Sequence, residues 1–148
     1  MKIVLFEPDI PQNTGTIIRM AACFGIPLEI IEPCGFVFDD KALKRAGMDY
    51  IDLKKIKFHL SFEDFLNSKS EDERIVLLTT KSSENLYDFK FKENDILLFG
   101  KESAGVTDEI HEKSDARIRI PMKEGYRSLN LAISTAIAVS EGIRQTGI

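Results

Sequence analysis

An α/β fold, a mostly parallel sheet with helices on both faces, follows from three features of this sequence. Short apolar runs rich in Ile, Val and Leu recur along the chain, bounded by turn-forming or charged residues. Segments whose apolar residues follow a helical spacing lie between them. The length, 148 residues at 43% hydrophobic and 30% charged, suffices for one domain, 1–148, and is too short for two of ordinary size. Strands that alternate with helices are joined by crossovers, and crossovers make the sheet parallel.

Lys2 to Phe6 (KIVLF), ended by Glu7 and Pro8, is predicted as a buried strand. After the turn-prone EPDIPQ, Asn13 caps a helix with apolar residues at Ile17, Ile18, Ala21, Ala22 and Phe24 and a stop at Gly25. Leu28 to Ile31 is the second strand. Asp39 caps a short helix, DDKALKRA, stopped by Gly47, and Ile51 to Phe58 holds another short strand. Ser61 starts a helix through Leu66, with Asp64 near the place of a capping-box acid. The second half adds strands at Ile75 to Thr79 and Asp95 to Phe99, a helix from Thr107, a strand at Arg117 to Ile120, and a long helix from about Ser128 to Gln145. The loop Lys81 to Asn94 is polar but carries Leu86, Tyr87, Phe89 and Phe91, which should pack it onto the body. Ligands of such sheets bind beyond the carboxyl ends of strands, here the loops after Phe6, Thr79, Phe99 and Ile120.

Composition excludes several classes. A chain of this length buries roughly 70% of its extended surface, so it needs neither disulfides nor a structural metal. Cys23 and Cys34 form no C-x-x-C pair and no charged-then-apolar leader precedes Lys2, so a cytoplasmic protein with free thiols is expected. The longest apolar stretch, Leu129 to Val139, is interrupted by Asn130, Ser134 and Thr135, so no membrane span is expected. A net charge of -4 and a pI near 5.3 argue against a general nucleic-acid coat. Between Lys41 and Lys57, however, six bases face two acids, a patch that reads either as a polyanion contact or as a solvated helix face and edge strand.

Familiar catalytic motifs fail one by one. Gly100 to Gly105 (GKESAG) has phosphate-loop spacing, but Val106 stands where the lysine must be. Ser103 lies three residues after Gly100, one too many for a nucleophile elbow. His111-Glu112 begins a zinc-protease pattern that Asp115 cannot complete, so no metal is expected. His59 and His111 read as surface or helix-end residues, and no Gly-x-Gly-x-x-Gly is present. Polar strand-end loops without a nucleophile, base or metal set suit chemistry that asks little of side chains. Methyl transfer from S-adenosylmethionine is such a case, because the sulfonium is already activated and the protein mainly positions two reactants.

Three segments together resemble the SPOUT class of RNA methyltransferases and, within it, the small tRNA wobble-nucleotide 2′-O-methyltransferases. They are EPDIPQNTGTIIR (Glu7 to Arg19), with Thr16 where asparagine is more usual, LLFGKESAGV (Leu97 to Val106) and IRIPMKEGYRSLNLAISTAIAV (Ile118 to Val139). IIEPCGF and DDKALKRAGMDY are also similar to family stretches, so the likeness covers nearly the whole chain. The resemblance implies a C-terminal trefoil knot, a homodimer with each cofactor pocket near the subunit interface, and tRNA as substrate. It implies S-adenosylmethionine, converted to S-adenosylhomocysteine, held at Leu78, Gly100, Glu102, Ile120, Met122, Ser128, Leu129 and Asn130. Gly100 also makes sense alone, since backbone without a Cβ can lie close to a ligand.

By the same likeness Arg19 serves catalysis, holding a phosphate or stabilising a developing 2′-alkoxide. Asn13 orients substrate or merely caps its helix, while Lys41, Lys44, Arg45 and Arg127, with Lys123, supply tRNA backbone contacts. Ala104 stands where an arginine is common and Ser140 where a tyrosine is frequent. Another RNA, such as ribosomal RNA, and a non-catalytic knotted RNA-binding dimer are the alternatives.

Overall fold

The computed structural model describes residues 1–38 and 55–147. Its six strands are β1 (Lys2–Phe6), β2 (Leu28–Ile31), β3 (Lys57–His59), β4 (Arg74–Leu78), β5 (Asp95–Phe99) and β6 (Ala116–Ile118). They form one sheet in the order β3-β2-β1-β5-β4-β6, with every pairing parallel. The described helices are α1 (Pro11–Phe24), α2 (Phe62–Ser68), α3 (Asp108–Lys113) and α4 (Leu131–Thr146). Strand side chains alternate in direction, so Ile3 and Leu5 enter one core with Ile17, Ile18, Ala138 and Val139 of α1 and α4. Val4 and Phe6 enter the other, with Phe62 and Phe65 of α2 and Ile110 of α3. Both faces are covered, as expected, and for that reason KIVLF and DILLF read as unbroken apolar runs.

Helix ends correct several sequence-based boundaries. α1 starts at Pro11, two residues before the predicted cap, because proline at the first position has its φ preset and no N–H to leave unpaired. Asn13 is therefore inside the first turn and caps nothing. Gly25 does end α1, at φ 68°, donating its N–H to the carbonyls of Ala21 and Ala22. Ser61 caps α2 by accepting from the Asp64 amide at 3.1 Å, and Asp64 accepts in return from the Leu60 amide at 3.0 Å. α4 begins at Leu131 rather than Ser128, with the Asn130 side chain accepting from the Ala132 and Ile133 amides. The predicted DDKALKRA helix lies outside the described residues, as do the first four residues of the predicted strand Ile51 to Phe58.

His59 is not a surface residue. It is 1% exposed, its Nε2 is 2.7 Å from Glu29 Oε2, and its ring meets Phe65 edge-on. Lys2 extends this network, bridging Glu29 at 3.1 Å and Glu73 at 2.8 Å. The burial comes from a partner thirty residues away in sequence, delivered by the pairing of β2 with β3.

The β4–β5 connection packs back as expected through Leu86, Phe89 and Phe91, whereas Tyr87 is 54% exposed. This connection also grips the chain beyond β6. Arg119 donates its N–H to Glu84 O at 2.9 Å and accepts from the Leu86 N–H at 2.8 Å, which ends β6 at Ile118 instead of Ile120. The chain then runs on to α4, which packs against α1 and β5. No helix among the described residues is long and apolar enough to cross a membrane.

The far end of α4 locks the same connection. Gln145 accepts from the Phe91 amide and donates to the Phe89 carbonyl, both at 3.0 Å, and donates to Glu141 at 2.7 Å. Arg144 pairs with both Glu141 oxygens, and this pair first, then Gln145, lowers the Glu141 carboxyl from 4.5 to about 2. A depressed carboxylate stabilises the fold above its unfolded value, and that contribution disappears as pH falls through the folded one. Wild-type stability should therefore fall more steeply than that of Glu141→Gln between pH 4.5 and 2, as read from urea midpoints at stepped pH.

Candidate active site

From β1 the chain leaves toward β2, and from β5 it leaves toward β6 on the other side, so the crevice between their carboxyl ends is a topological switch point. The pocket of about 600 Å³ that opens there takes its walls from the ends of β4, β5 and β6, the first turn of α1 and the entry to α4. All eight residues expected to hold a cofactor line it: Leu78, Gly100, Glu102, Ile120, Met122, Ser128, Leu129 and Asn130. Asn13 and Arg127 line it as well.

The motif GKESAG forms a tight loop closed by two backbone bonds, Lys101 N–H to Gly105 O at 3.1 Å and Gly105 N–H to Lys101 O at 2.8 Å. A Cβ on Gly100 would lie 2.5 Å from the carbonyl carbon of Gly105. Glycine is thus required at 100 by the chain's own loop. Gly105, at φ 71°, makes the turn that brings the loop back. Lys101 reaches across to Glu7 at 2.9 Å, where β1 ends in a residue at φ 45° that turns the chain out of the sheet.

Three polar side chains of the pocket wall, Glu102, Asn13 and Asn130, are committed to one another. Glu102 accepts from the Asp9 amide at 3.0 Å and from Asn13 Nδ2 at 2.9 Å. Asn13 Oδ1 accepts from Asn130 Nδ2 at 2.7 Å, and Asn130 Oδ1 caps α4. Asp9 in turn accepts from the Glu102 amide and the Ser103 hydroxyl. Its carboxyl is held below the ordinary value, first by Glu102 and, against burial, by Ser103 and the two amides. One hydrogen-bonded line therefore ties the loop after β1, α1, the loop after β5 and the start of α4.

Arg19 is not part of this wall. It is exposed on α1, six residues beyond Asn13, which is about 9 Å along the axis and 240° around it. Lys41, Lys44 and Arg45 lie outside the described residues. The sequence reading missed Thr80, Lys81, His111 and Ser134, which also line the pocket. The strand-end rule pointed to Thr80 and Lys81, whereas His111 had no signal beyond its helix-end position. Burial first, then the Lys81 and Arg117 cations, push the His111 imidazole below its ordinary value, so it is neutral at pH 7.

The model of the SpoU rRNA Methylase family matches residues 1–140. A tRNA (cytidine(34)-2'-O)-methyltransferase of Ancylobacter novellus is 48% identical over 99% of this chain and 94% of its own. A solved structure concerned with 2-OH methylation of C/U34 on tRNA superposes with a TM-score of 0.90 at 40% identity, covering 97% of this chain and 94% of that one. An AdoMet-bound rRNA methyltransferase of Sinorhizobium meliloti gives 0.84 at 27% identity, covering 97% and 55%.

Replacing Asn130 separates its two bonds. Asn130→Ala should cost about 1 kcal/mol through the lost cap. Asn130→Asp keeps the cap and should leave thermal unfolding near wild type, yet it removes the donor to Asn13. Calorimetric titration with S-adenosylmethionine should show weakened binding in both variants.

Proposed function

The chain belongs to the SpoU rRNA methylase family, and on that premise we propose that it methylates the ribose 2′-hydroxyl of nucleotide 34, the wobble cytidine or modified uridine, in tRNA. The observation that carries this reading is the meeting of all three family-like segments at one pocket. The near-full-length likeness to tRNA enzymes favours tRNA over ribosomal RNA.

The residues present fit S-adenosylmethionine. A cavity of about 600 Å³ is of the size small-molecule sites have, and its lining is mixed, with apolar side chains beside polar and charged ones. Leu78, Ile120, Met122 and Leu129 offer surface to a purine, while Ser128 and the backbone at Gly100 offer polar contacts. When bound, the cofactor supplies an activated methyl group on its sulfonium. Glu102 and Asn130 serve as positioning residues, because their side-chain groups already bond to Asp9, Asn13 and α4. Asn13, expected to orient substrate, is occupied at both ends in the same way and acts as a brace.

Arg127 is exposed at the pocket mouth, where a phosphate contact positions RNA without specifying it. Arg19 remains a cation and stabilises the alkoxide that develops as the ribose oxygen attacks. Its own pocket is out of line, so it serves the pocket of a second copy in a homodimer. The stripe Ile133, Ala136, Ile137 and Ser140 on α4 supports that dimer: Ile133 is 53% exposed, and Thr16, Arg19 and Cys23 are exposed on the neighbouring α1. Ser140, one of the two departures from the family pattern, falls on this stripe, and Ala104 falls at the pocket. One domain, acting in the cytoplasm on tRNA, carries the whole activity.

Labelled methyl transfer to unmodified tRNA, followed by nuclease digestion and mass spectrometry, should place a 2′-O-methyl on nucleotide 34. Product elsewhere, or on ribosomal RNA only, contradicts the reading. Arg19→Ala should bind S-adenosylmethionine as wild type does while transfer falls roughly 100-fold or more, and unaltered transfer removes Arg19 from the mechanism.

A further inference from the structure

Beside the pocket lies a second groove of about 350 Å³, and Ile120, Met122 and Arg127 line both. Its rim carries three cations, Arg119, Lys123 and Arg127, against one carboxylate, Glu124. None of the three forms an ion pair among the described residues. Tyr126 also lines the groove, with 74% of its surface exposed and no aromatic partner among the described residues. Gly125, at φ 91°, makes the turn before it, and the Arg119 backbone is pinned on both sides by Glu84 and Leu86.

An aromatic ring left in solvent among uncompensated cations has the chemistry of a nucleotide site, since cations hold phosphate and the ring offers a face to any base. A free phosphate would use the cations and leave Tyr126 idle. Because groove and pocket share a wall, an occupant of one abuts an occupant of the other.

We infer that this groove holds a nucleotide of the substrate RNA, its base stacked on Tyr126 and its phosphate among Arg119, Lys123 and Arg127. The inference rests on the proposed RNA methylation and assigns to that reaction a stacking residue. Tyr126 is a binding residue here, and it moves no proton.

The chain contains no tryptophan, so Tyr126→Trp introduces a single fluorophore at the groove. Titration with an anticodon stem-loop RNA should quench its emission saturably. Tyr126→Ala should raise KM for tRNA roughly 5- to 150-fold with unchanged affinity for S-adenosylmethionine, and Tyr126→Phe should restore it. Lys123→Ala should lower the slope of log K against log salt by about 0.7. A wild-type KM in Tyr126→Ala, or a Trp signal indifferent to RNA, overturns the inference. If wild type methylates no tRNA, the functional reading fails instead, and the quenching titration still decides whether the groove takes RNA.

Discussion

The line of hydrogen bonds from Asp9 through Glu102 and Asn13 to Asn130 is the constraint on which the site depends. Its members come from four places in the chain, with the β1 loop and the β5 loop joined across 93 residues and α1 and α4 across 117. Each of these segments leaves the sheet or enters a helix at the pocket. Hydrogen bonds to a charged group contribute about 1.5–3 kcal/mol each, against roughly 1 for neutral pairs. A carboxylate at Glu102, bonded on both oxygens, is accordingly a stronger tie than an amide would be. The same commitment leaves the wall's shape, rather than these side chains' free valences, to meet the cofactor.

Charge is arranged around this line in two tiers. Inside it, Asp9 accepts from the Glu102 amide and the Ser103 hydroxyl, and Glu7 pairs with the Lys101 ammonium and raises its pKa. These groups hold loops, with the carboxyl groups of Glu7, Asp9 and Glu102 around one cation, Lys101. At the mouth, Arg119, Lys123 and Arg127 are unmatched among the described residues, and they face outward. An acidic chain thus presents positive charge beside the pocket, which suits a polyanion that must be brought to one spot and not coated along its length.

Much of this was legible in the sequence where one residue type answers to one local demand. KIVLF and DILLF announced buried strands, Gly25 announced a helix stop, and the Ser61–Asp64 pair announced a cap. The eight pocket residues were legible only through the family likeness, since no periodicity distinguishes Leu78 or Leu129 from ordinary core. Long-range pairing was illegible: nothing local marks His59 as buried against Glu29, or Asn13 as a brace instead of a cap. At Gly100 the fold adds a reason that no local pattern showed, since the returning Gly105 backbone leaves no room for a Cβ. Arg19 is legible as a motif residue, but its exposed place on α1, away from the pocket wall, is legible only in the fold.

The interlock, more than any direct side-chain contact, prepares the pocket. Its most direct test is calorimetric titration of S-adenosylmethionine into Glu102→Gln and Glu102→Ala, with circular dichroism confirming that both are folded. Glutamine retains an oxygen to accept one bond, so affinity should fall in the order wild type, Glu102→Gln, Glu102→Ala, with the alanine variant at least tenfold weaker. Equal affinity in all three proteins would mean that the pocket holds its shape without the bond at its centre, and that the interlock does not prepare it.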